Sequence, residues 1–400
     1  MSINNTDKLS GLKLTYIGQA MADGTGMGGG ARLNNMINIF KSIGIKIELI
    51  SFSFYSDKSK IDHIKVDDYL QITQIHMHKS LPRFMKALAI LPVFIYSAKS
   101  SRTSDIIFSD FITEIAYIPA IVNGIVFKKP TILDLIDAKF FKIVPNIVNR
   151  TAANHANLIF AISHYLEVFC KTEYACTNVI YMPMYIDCDI FKIDVISRKD
   201  IRQKFGIKDD EIVIGYAGTF AHWEGLTVLL QAFSNLAKKY PKIKLAIMGN
   251  MYTRGDDDIN YIINKMGIKS KVILISSQAH EAVPKYLSAF DILCCPKTDC
   301  EINRAANPVK VVEYLSMGLP SVCSAVGGIK DTIKDNISGF LVKPGDTDDL
   351  ESKLEWVILN PEKAQKIGYA GREEVEKYYS YNVFKAAMVH AISNLLDGSS

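Results

Sequence analysis

The sequence lacks an apolar run long enough to cross a bilayer. Its longest, Ala87 to Ala98, is broken by Pro92 and bounded by Lys86 and Lys99, well short of the ~20 residues that a spanning helix needs. The start, Met1 to Ser10, is polar and has neither the apolar core nor the small-residue cleavage site of a leader, so secretion is not expected. No block of lysine or arginine occurs, and 46 Lys and Arg against 42 Asp and Glu leave a net charge of only +4. Nucleic acid is therefore not the expected partner. The seven cysteines (Cys170, Cys176, Cys188, Cys294, Cys295, Cys300, Cys323) contain no CxxC pair, which speaks against a disulfide framework and against a zinc ribbon. They read as small core residues of a protein in a reducing cytoplasm. Short-period repeats and low-complexity segments are missing too, which excludes solenoids and propellers. For metal, no DxD-like motif stands in a suitable site and no His/Asp cluster forms; His76-x-His78 is the nearest pair. Two histidines at strand spacing read as surface or core residues, so no metal is expected.

What is present is a folded, enzyme-sized chain. At 400 residues, 48% hydrophobic and 22% charged, it suits two domains of nearly equal size. Leu12 to Ile17 reads as a buried strand. A glycine-rich loop, Gly18 to Gly30, leads into a helix over Ala31 to Ile43, where Leu33, Met36, Ile37 and Phe40 keep helical spacing and Gly44 is the stop. Ile45 to Phe52 is the next strand, so the opening is a parallel βαβ unit. Further strands are expected at Ile106 to Phe108, Pro130 to Ile136 and Leu158 to Ile162, giving a doubly wound α/β domain. Tyr181 to Phe191 has no periodicity and contains Pro183; the linker is placed there, with domains over 1–192 and 193–379. The second half predicts strands at Ile212 to Ala217, Ile243 to Met248, Val272 to Ile275 and Ile292 to Cys295. Helices at Gly225 to Tyr240, Ile259 to Met266 and Glu281 to Ala289 alternate with them, which makes a second Rossmann-like domain.

Three stretches carry chemistry. Gly24-Thr25-Gly26-Met27-Gly28-Gly29 matches GxGxxG, but the match begins six residues after Gly18 and no ribose-binding acid ends the second strand, which argues against dinucleotide binding. The alternatives are that Gly29 and Gly30 let the backbone approach a phosphate-bearing ligand at the helix start, or that the glycines only turn the chain. Gly215 to Leu226 places Gly218, Thr219 and His222 between a strand and a helix amino terminus, a junction suited to phosphate; an aromatic cluster at Phe220 and Trp223 explains the same residues as well. Asn307-Pro308-Val309-Lys310-Val311-Val312-Glu313 is more informative. Asn307 suits a helix cap and Pro308 the first turn. Glu313, one to two turns in, is placed to accept from a ribose diol, and Lys310 to stand beside a diphosphate.

These residues resemble the donor-site signature of the retaining glycosyltransferases of family four, also called glycosyl transferases group 1. Gly29-Gly30-Ala31-Arg32 is similar to the family's amino-terminal Gly-Gly loop, and Ala161-Ile162-Ser163 to the strand before the last helix of its first domain. Met182 to Phe191 resembles the family's interdomain segment, and Gly327-Gly328-Ile329 and Asn336 to Val342 the turns that close its second domain. The resemblance implies a GT-B architecture: two Rossmann-like doubly wound domains facing across a cleft, with a final helix over about 380–400 packing back on the first. It implies transfer with retention of the anomeric configuration, no metal, and no cofactor beyond a nucleotide-sugar donor used as substrate. The donor-binding residues it implies are Gly29, Gly30, Gly218, Thr219, Arg304, Asn307, Pro308, Val309, Lys310 and Glu313.

The sequence also departs from that pattern. Family members often carry an Arg or Lys in the Gly218 loop and a Lys before Gly225, where this chain has Thr219 and Glu224; the first carboxylate of the family's paired-Glu motif is Ala305. Lys310, with Arg304 or Lys297, is then expected to supply the positive charge. The strand Thr131 to Asp137 stands where many relatives end in His-Asp; the resemblance puts Asp137 at the reaction centre, with Asp134 as second choice, and a helix cap is the alternative reading of Asp137. Lys79 to Lys99 interleaves basic residues with Leu81, Phe84, Met85, Leu88, Ile90 and Leu91: an amphipathic element suited to an anionic membrane, or a core helix with exposed lysines. The expectation is a cytoplasmic enzyme, at the inner membrane face if that element docks, moving a sugar from a UDP- or GDP-sugar to a glycan or lipid-linked acceptor. A nucleotide-sugar epimerase and a non-catalytic nucleotide-sugar-binding subunit are the alternatives.

Overall fold

A computed structural model describes residues 3–19, 28–136, 145–249 and 259–398. The chain divides into two compact units, Met1–Pro183 together with Phe384–Ser400, and Met184–Val383. Each is an α/β unit built on a largely parallel sheet.

Among the described residues the first unit has eight strands: β1 (Lys13–Gly18), β2 (Lys46–Ser56), β3 (Lys60–Lys65), β4 (Leu70–His78), β5 (Ile106–Asp110), β6 (Thr131–Leu135), β7 (Leu158–Ala161) and β8 (Val179–Tyr181). Their order is β3-β4-β2-β1-β5-β6-β7-β8. Every neighbouring pair is parallel except β3 with β4. β1 and β5 are buried along most or all of their length, which is why they read as continuous apolar runs instead of alternating ones. β3 and β4 went unread in the sequence. The Lys-Ile-Asp-His-Ile-Lys strand is nearly all solvated, and its edge charges are what keep such an edge from pairing with another chain. The addition of strands reverses at β1, where β2 and β5 lie on either side. The helix after β1 runs Gly28–Ser42, so it starts earlier than Ala31 and takes Gly29 and Gly30 into its first turn.

The second unit has six described strands: β9 (Ile212–Ala217), β10 (Ile243–Met248), β11 (Val272–Ile275), β12 (Ile292–Cys295), β13 (Ser321–Ser324) and β14 (Phe340–Val342). All pair in parallel in the order β11-β10-β9-β12-β13-β14, the Rossmann order, with its switch point between β9 and β12. Within it Cys295 of β12 stands opposite Cys323 of β13. The Leu226–Lys239 helix buries Leu229, Leu230, Phe233 and Leu236 completely. Each such side chain contributes roughly 1.5–3 kcal/mol of burial. Gly215, in mid-strand, makes room for Phe290, whose ring would stand 2.1 Å from an added Cβ.

The helix carrying Lys310 and Glu313 spans Val309–Ser316. Pro308 occupies its N-cap with φ −73° and ψ 123° and no side-chain cap bond, so the expected arrangement, Asn307 as cap and Pro308 in the first turn, is displaced by one residue. The extended backbone at Pro308 is what proline's fixed φ favours. Gly318, at φ +68°, follows the helix end. No helix among the described residues is long and apolar enough to cross a membrane.

Candidate functional site

The second unit gathers its polar residues at the carboxyl end of β9, beside the switch point. β9 ends at Ala217, and Gly218 and Gly249, both at φ +152°, let the loops after β9 and β10 touch: a Cβ on Gly249 would lie 1.8 Å from the Gly218 carbonyl oxygen. A Cβ on Gly218 would lie 2.3 Å from Lys310 Nζ. The glycine therefore sets its backbone directly against the ammonium group. Tyr314, from the same helix as Lys310, anchors this end: its hydroxyl accepts from Ala217 N at 2.7 Å and donates to Ala217 O at 3.0 Å.

Lys310 Nζ donates to Glu224 Oε2 at 2.7 Å and to the Tyr216 hydroxyl at 3.1 Å. It also lies 4.7 Å from the Tyr216 ring centroid. Lys297 Nζ donates to the other oxygen, Glu224 Oε1, at 2.8 Å and to Asn303 Oδ1 at 3.0 Å. Tyr216 in turn donates to the Thr219 carbonyl at 2.6 Å. The Glu224 and Lys297 side chains are each only 6% exposed. Burial pushes the Glu224 carboxyl up, but the charges of Lys310 and Lys297 outweigh it and hold its pKa at about 2. Burial alone would lower Lys310, whereas the Glu224 carboxylate raises it above its ordinary value. Two ammonium groups around one carboxylate leave one net positive charge beneath the Gly218 loop. A low-dielectric setting makes such a charge count for more than it would in water.

Glu313 lies further along the helix. His280 Nε2 donates to its Oε1 at 2.7 Å, with Glu313 7% and His280 54% exposed. That bond to Glu313 raises the His280 pKa against the opposing effect of burial. Asn307 is buried under the Gly327-Gly328 turn, with its Cβ 2.7 Å from where Gly328 would carry one. Pro308 and Val309 form the helix start above it. Arg304 points elsewhere: its Nε and NH2 donate to Asp299 at 2.6 and 3.0 Å on the exposed surface. The structure thus brings Gly218, Thr219 and Lys310 together, sets Glu313 on the same helix as Lys310, and gives Arg304 an acidic partner.

In the first unit, Asp137 lies outside the described residues. Asp134 is held by both oxygens to Arg32, at 2.7 Å from Nε and 2.6 Å from NH2, with both side chains almost fully buried. That pairing engages both carboxylate oxygens with one guanidinium. Close by, Asp110 ends β5 and accepts from the Tyr16 hydroxyl and the Gln19 amide, each at 3.0 Å. Burial, then the neighbouring Asp134 charge, pushes its carboxyl up to about 7. Sequence reasoning passed over Tyr216, Tyr314, His280 and Asp110. Each sits at or near a strand end or on a helix face, and each has a partner distant in the chain, which for Tyr216 is Lys310.

No group of three or more His, Cys, Asp or Glu among the described residues is placed to hold a metal ion. His76 pairs with Asp62 at 3.1 Å, while His78 Nδ1 accepts from the Ser80 amide. Of the cysteines, Cys188 and Cys300 are half-buried and the other five are buried.

Residues 197–374 match the family described as glycosyl transferases group 1. Over 230 residues the chain is 23% identical to a GDP-mannose-dependent alpha-(1-6)-phosphatidylinositol monomannoside mannosyltransferase of Mycolicibacterium smegmatis, covering 56% of this chain and 58% of that one. The chain spans about half the length of the curated relatives it matches. Among solved structures it is similar to sucrose-phosphate synthase from Thermosynechococcus elongatus, with a TM-score of 0.78 at 16% identity over 96% of this chain and 100% of that one. Anabaena Alr3699/HepE, solved in complex with UDP, superposes with a TM-score of 0.75 at 18% identity over the same shares. These likenesses give the GT-B fold.

Proposed function

We propose, from the match of residues 197–374 to the glycosyl transferases group 1, that the chain is a retaining, metal-independent glycosyltransferase. It moves a hexose-type sugar from a UDP- or GDP-sugar to a glycan or lipid-linked acceptor. The observation that carries this reading is the single net positive charge that Lys310, Lys297 and Glu224 hold against the Gly218 backbone, on the helix that also presents Glu313. A diphosphate beside Lys310 would put the nucleoside toward Glu313, whose carboxylate accepts from the ribose hydroxyls.

In this reading the bond between the anomeric carbon and the donor phosphate breaks as the acceptor oxygen bonds to the same face. The acceptor's proton passes to the departing phosphate oxygen. Lys310 stabilises the charge that grows on the leaving diphosphate, an interaction stronger in the transition state than before it. UDP in Alr3699/HepE and the GDP-mannose dependence of the mycobacterial mannosyltransferase support the two donor bases. For a lipid-linked acceptor at the cytoplasmic membrane face, the support is Leu88, Leu91 and Ile95, which stand 54%, 60% and 65% exposed at helical spacing near Lys86 and Lys99.

The test is a thermal-shift screen of the purified protein with UDP, GDP and their sugars, followed by turnover with acceptor extracts. Binding at 100 times Kd adds about 2.7 kcal/mol, so the matching nucleotide raises the midpoint clearly and Lys310→Ala abolishes the rise. No stabilisation by any nucleotide, or a product of inverted anomeric configuration, overturns the reading.

A further inference from the structure

We infer that His280 is a positioning residue for the nucleotide's ribose: it fixes one oxygen of Glu313 so that the other faces the diol. The inference rests on the proposed donor-binding role of Glu313. Among the described residues the Glu313 carboxylate receives one hydrogen bond, from His280 Nε2 to Oε1 at 2.7 Å, and Oε2 is left as an acceptor. A glutamate carboxylate on a helix otherwise turns freely about its side-chain torsions. Ordering such a side chain on binding weakens affinity by about 2- to 12-fold.

The histidine is itself held in place. It sits in a one-turn 3-10 segment, His280–Ala282, where the Ala282 amide donates to Ala279 O at 2.9 Å. Its ring lies 5.2 Å from that of the buried Phe191. The Phe191 carbonyl accepts from Ser316 Oγ at 2.7 Å and from Arg372 NH1 at 3.1 Å. Ser316 closes the helix that carries Glu313, so the support of the histidine and the carboxylate it orients share one rigid element. His280 is more than half exposed, and its removal opens no core cavity.

The experiment measures affinity for UDP, GDP and their 2′,3′-dideoxy analogues in the wild type, His280→Ala, His280→Gln and Glu313→Gln. His280→Ala is expected to weaken the preferred diphosphate nucleotide about 3- to 10-fold and to leave its dideoxy analogue unchanged. His280→Gln, which keeps an N–H donor, restores part of the loss. Equal weakening of both nucleotides, or no weakening while Glu313→Gln does weaken the diol form, overturns the positioning role and spares the donor reading. If Glu313→Gln leaves nucleotide affinity intact, the donor reading of Glu313 falls and the inference falls with it.

Discussion

Replacing Glu224 by Gln tests the charged cluster most directly. Glu224 holds two buried ammonium groups, Lys297 and Lys310, one on each oxygen. The substitution removes the negative charge that both lysines bond, and breaking a buried pair from one side costs about 3–5 kcal/mol. The pH dependence gives a second figure. A carboxyl held at about 2 in place of its ordinary 4.5 contributes about 3 kcal/mol. Its folded pKa is depressed, so the contribution is complete above pH 4.5 and is lost as pH falls from 4.5 through 2. Near pH 3.5 about 1.5 kcal/mol of it has gone. Both tryptophans, Trp223 and Trp356, lie in the second unit, so urea unfolding followed by their fluorescence reports on that unit. At pH 7 Glu224→Gln is expected to be less stable than the wild type by the larger figure, and the gap is expected to narrow by about 1.5 kcal/mol at pH 3.5. Lys310→Met, which leaves Glu224 its bond to Lys297, costs less. A difference below about 0.5 kcal/mol at pH 7, the range of ordinary surface substitutions, or a gap that does not change with pH, refutes the reasoning.

Two further substitutions test the framework. Arg32→Met leaves Asp134 buried without its bidentate partner and is expected to cost about 3–5 kcal/mol, seen as earlier thermal unfolding of the first unit by limited proteolysis. An unchanged proteolysis profile would show that the pair is not holding β6 to the Gly28–Ser42 helix. Gly225→Ala places a Cβ 1.8 Å from the Pro296 carbonyl at φ +73° and should cost more than about 2 kcal/mol. Gly206→Ala, at φ +62° in open space, should cost only about 1 kcal/mol. Equal midpoints for these two in a urea titration contradict the steric argument.

The second unit was legible because most of its strands, β9, β10 and β12 among them, are buried on both faces, while the edge strand β11 was marked by its apolar run alone. The expected spans at Ile212, Ile243, Val272 and Ile292 coincide with β9, β10, β11 and β12. The edge strand β3 was not legible, since a solvated edge carries no apolar period and is made by pairing, and β4, inside the sheet, was missed with it. The Lys310 site was half legible. The Asn307-to-Glu313 motif marked the helix, but Glu224 read as a missing base, since its partners lie 73 and 86 residues away and no local pattern joins them. The same separation hid His280, which is 33 residues from Glu313. The resemblance offered Asp134 as second choice for the reaction centre, and only the fold shows that Arg32 donates to both its oxygens.

The pairing of Cys295 with Cys323 on neighbouring central strands, with Cys294 beside them, places three thiols where no water-borne reagent reaches them while the sheet stays closed. An alkylating agent would therefore mark Cys188 and Cys300 first. It would mark the inner three only at the moments when β12 and β13 come apart. Counting alkyl groups by mass against time would then turn these residues into a clock for rare openings of the second unit, one that needs no inserted label, and a bound nucleotide that slowed it would be detected without any sugar being transferred.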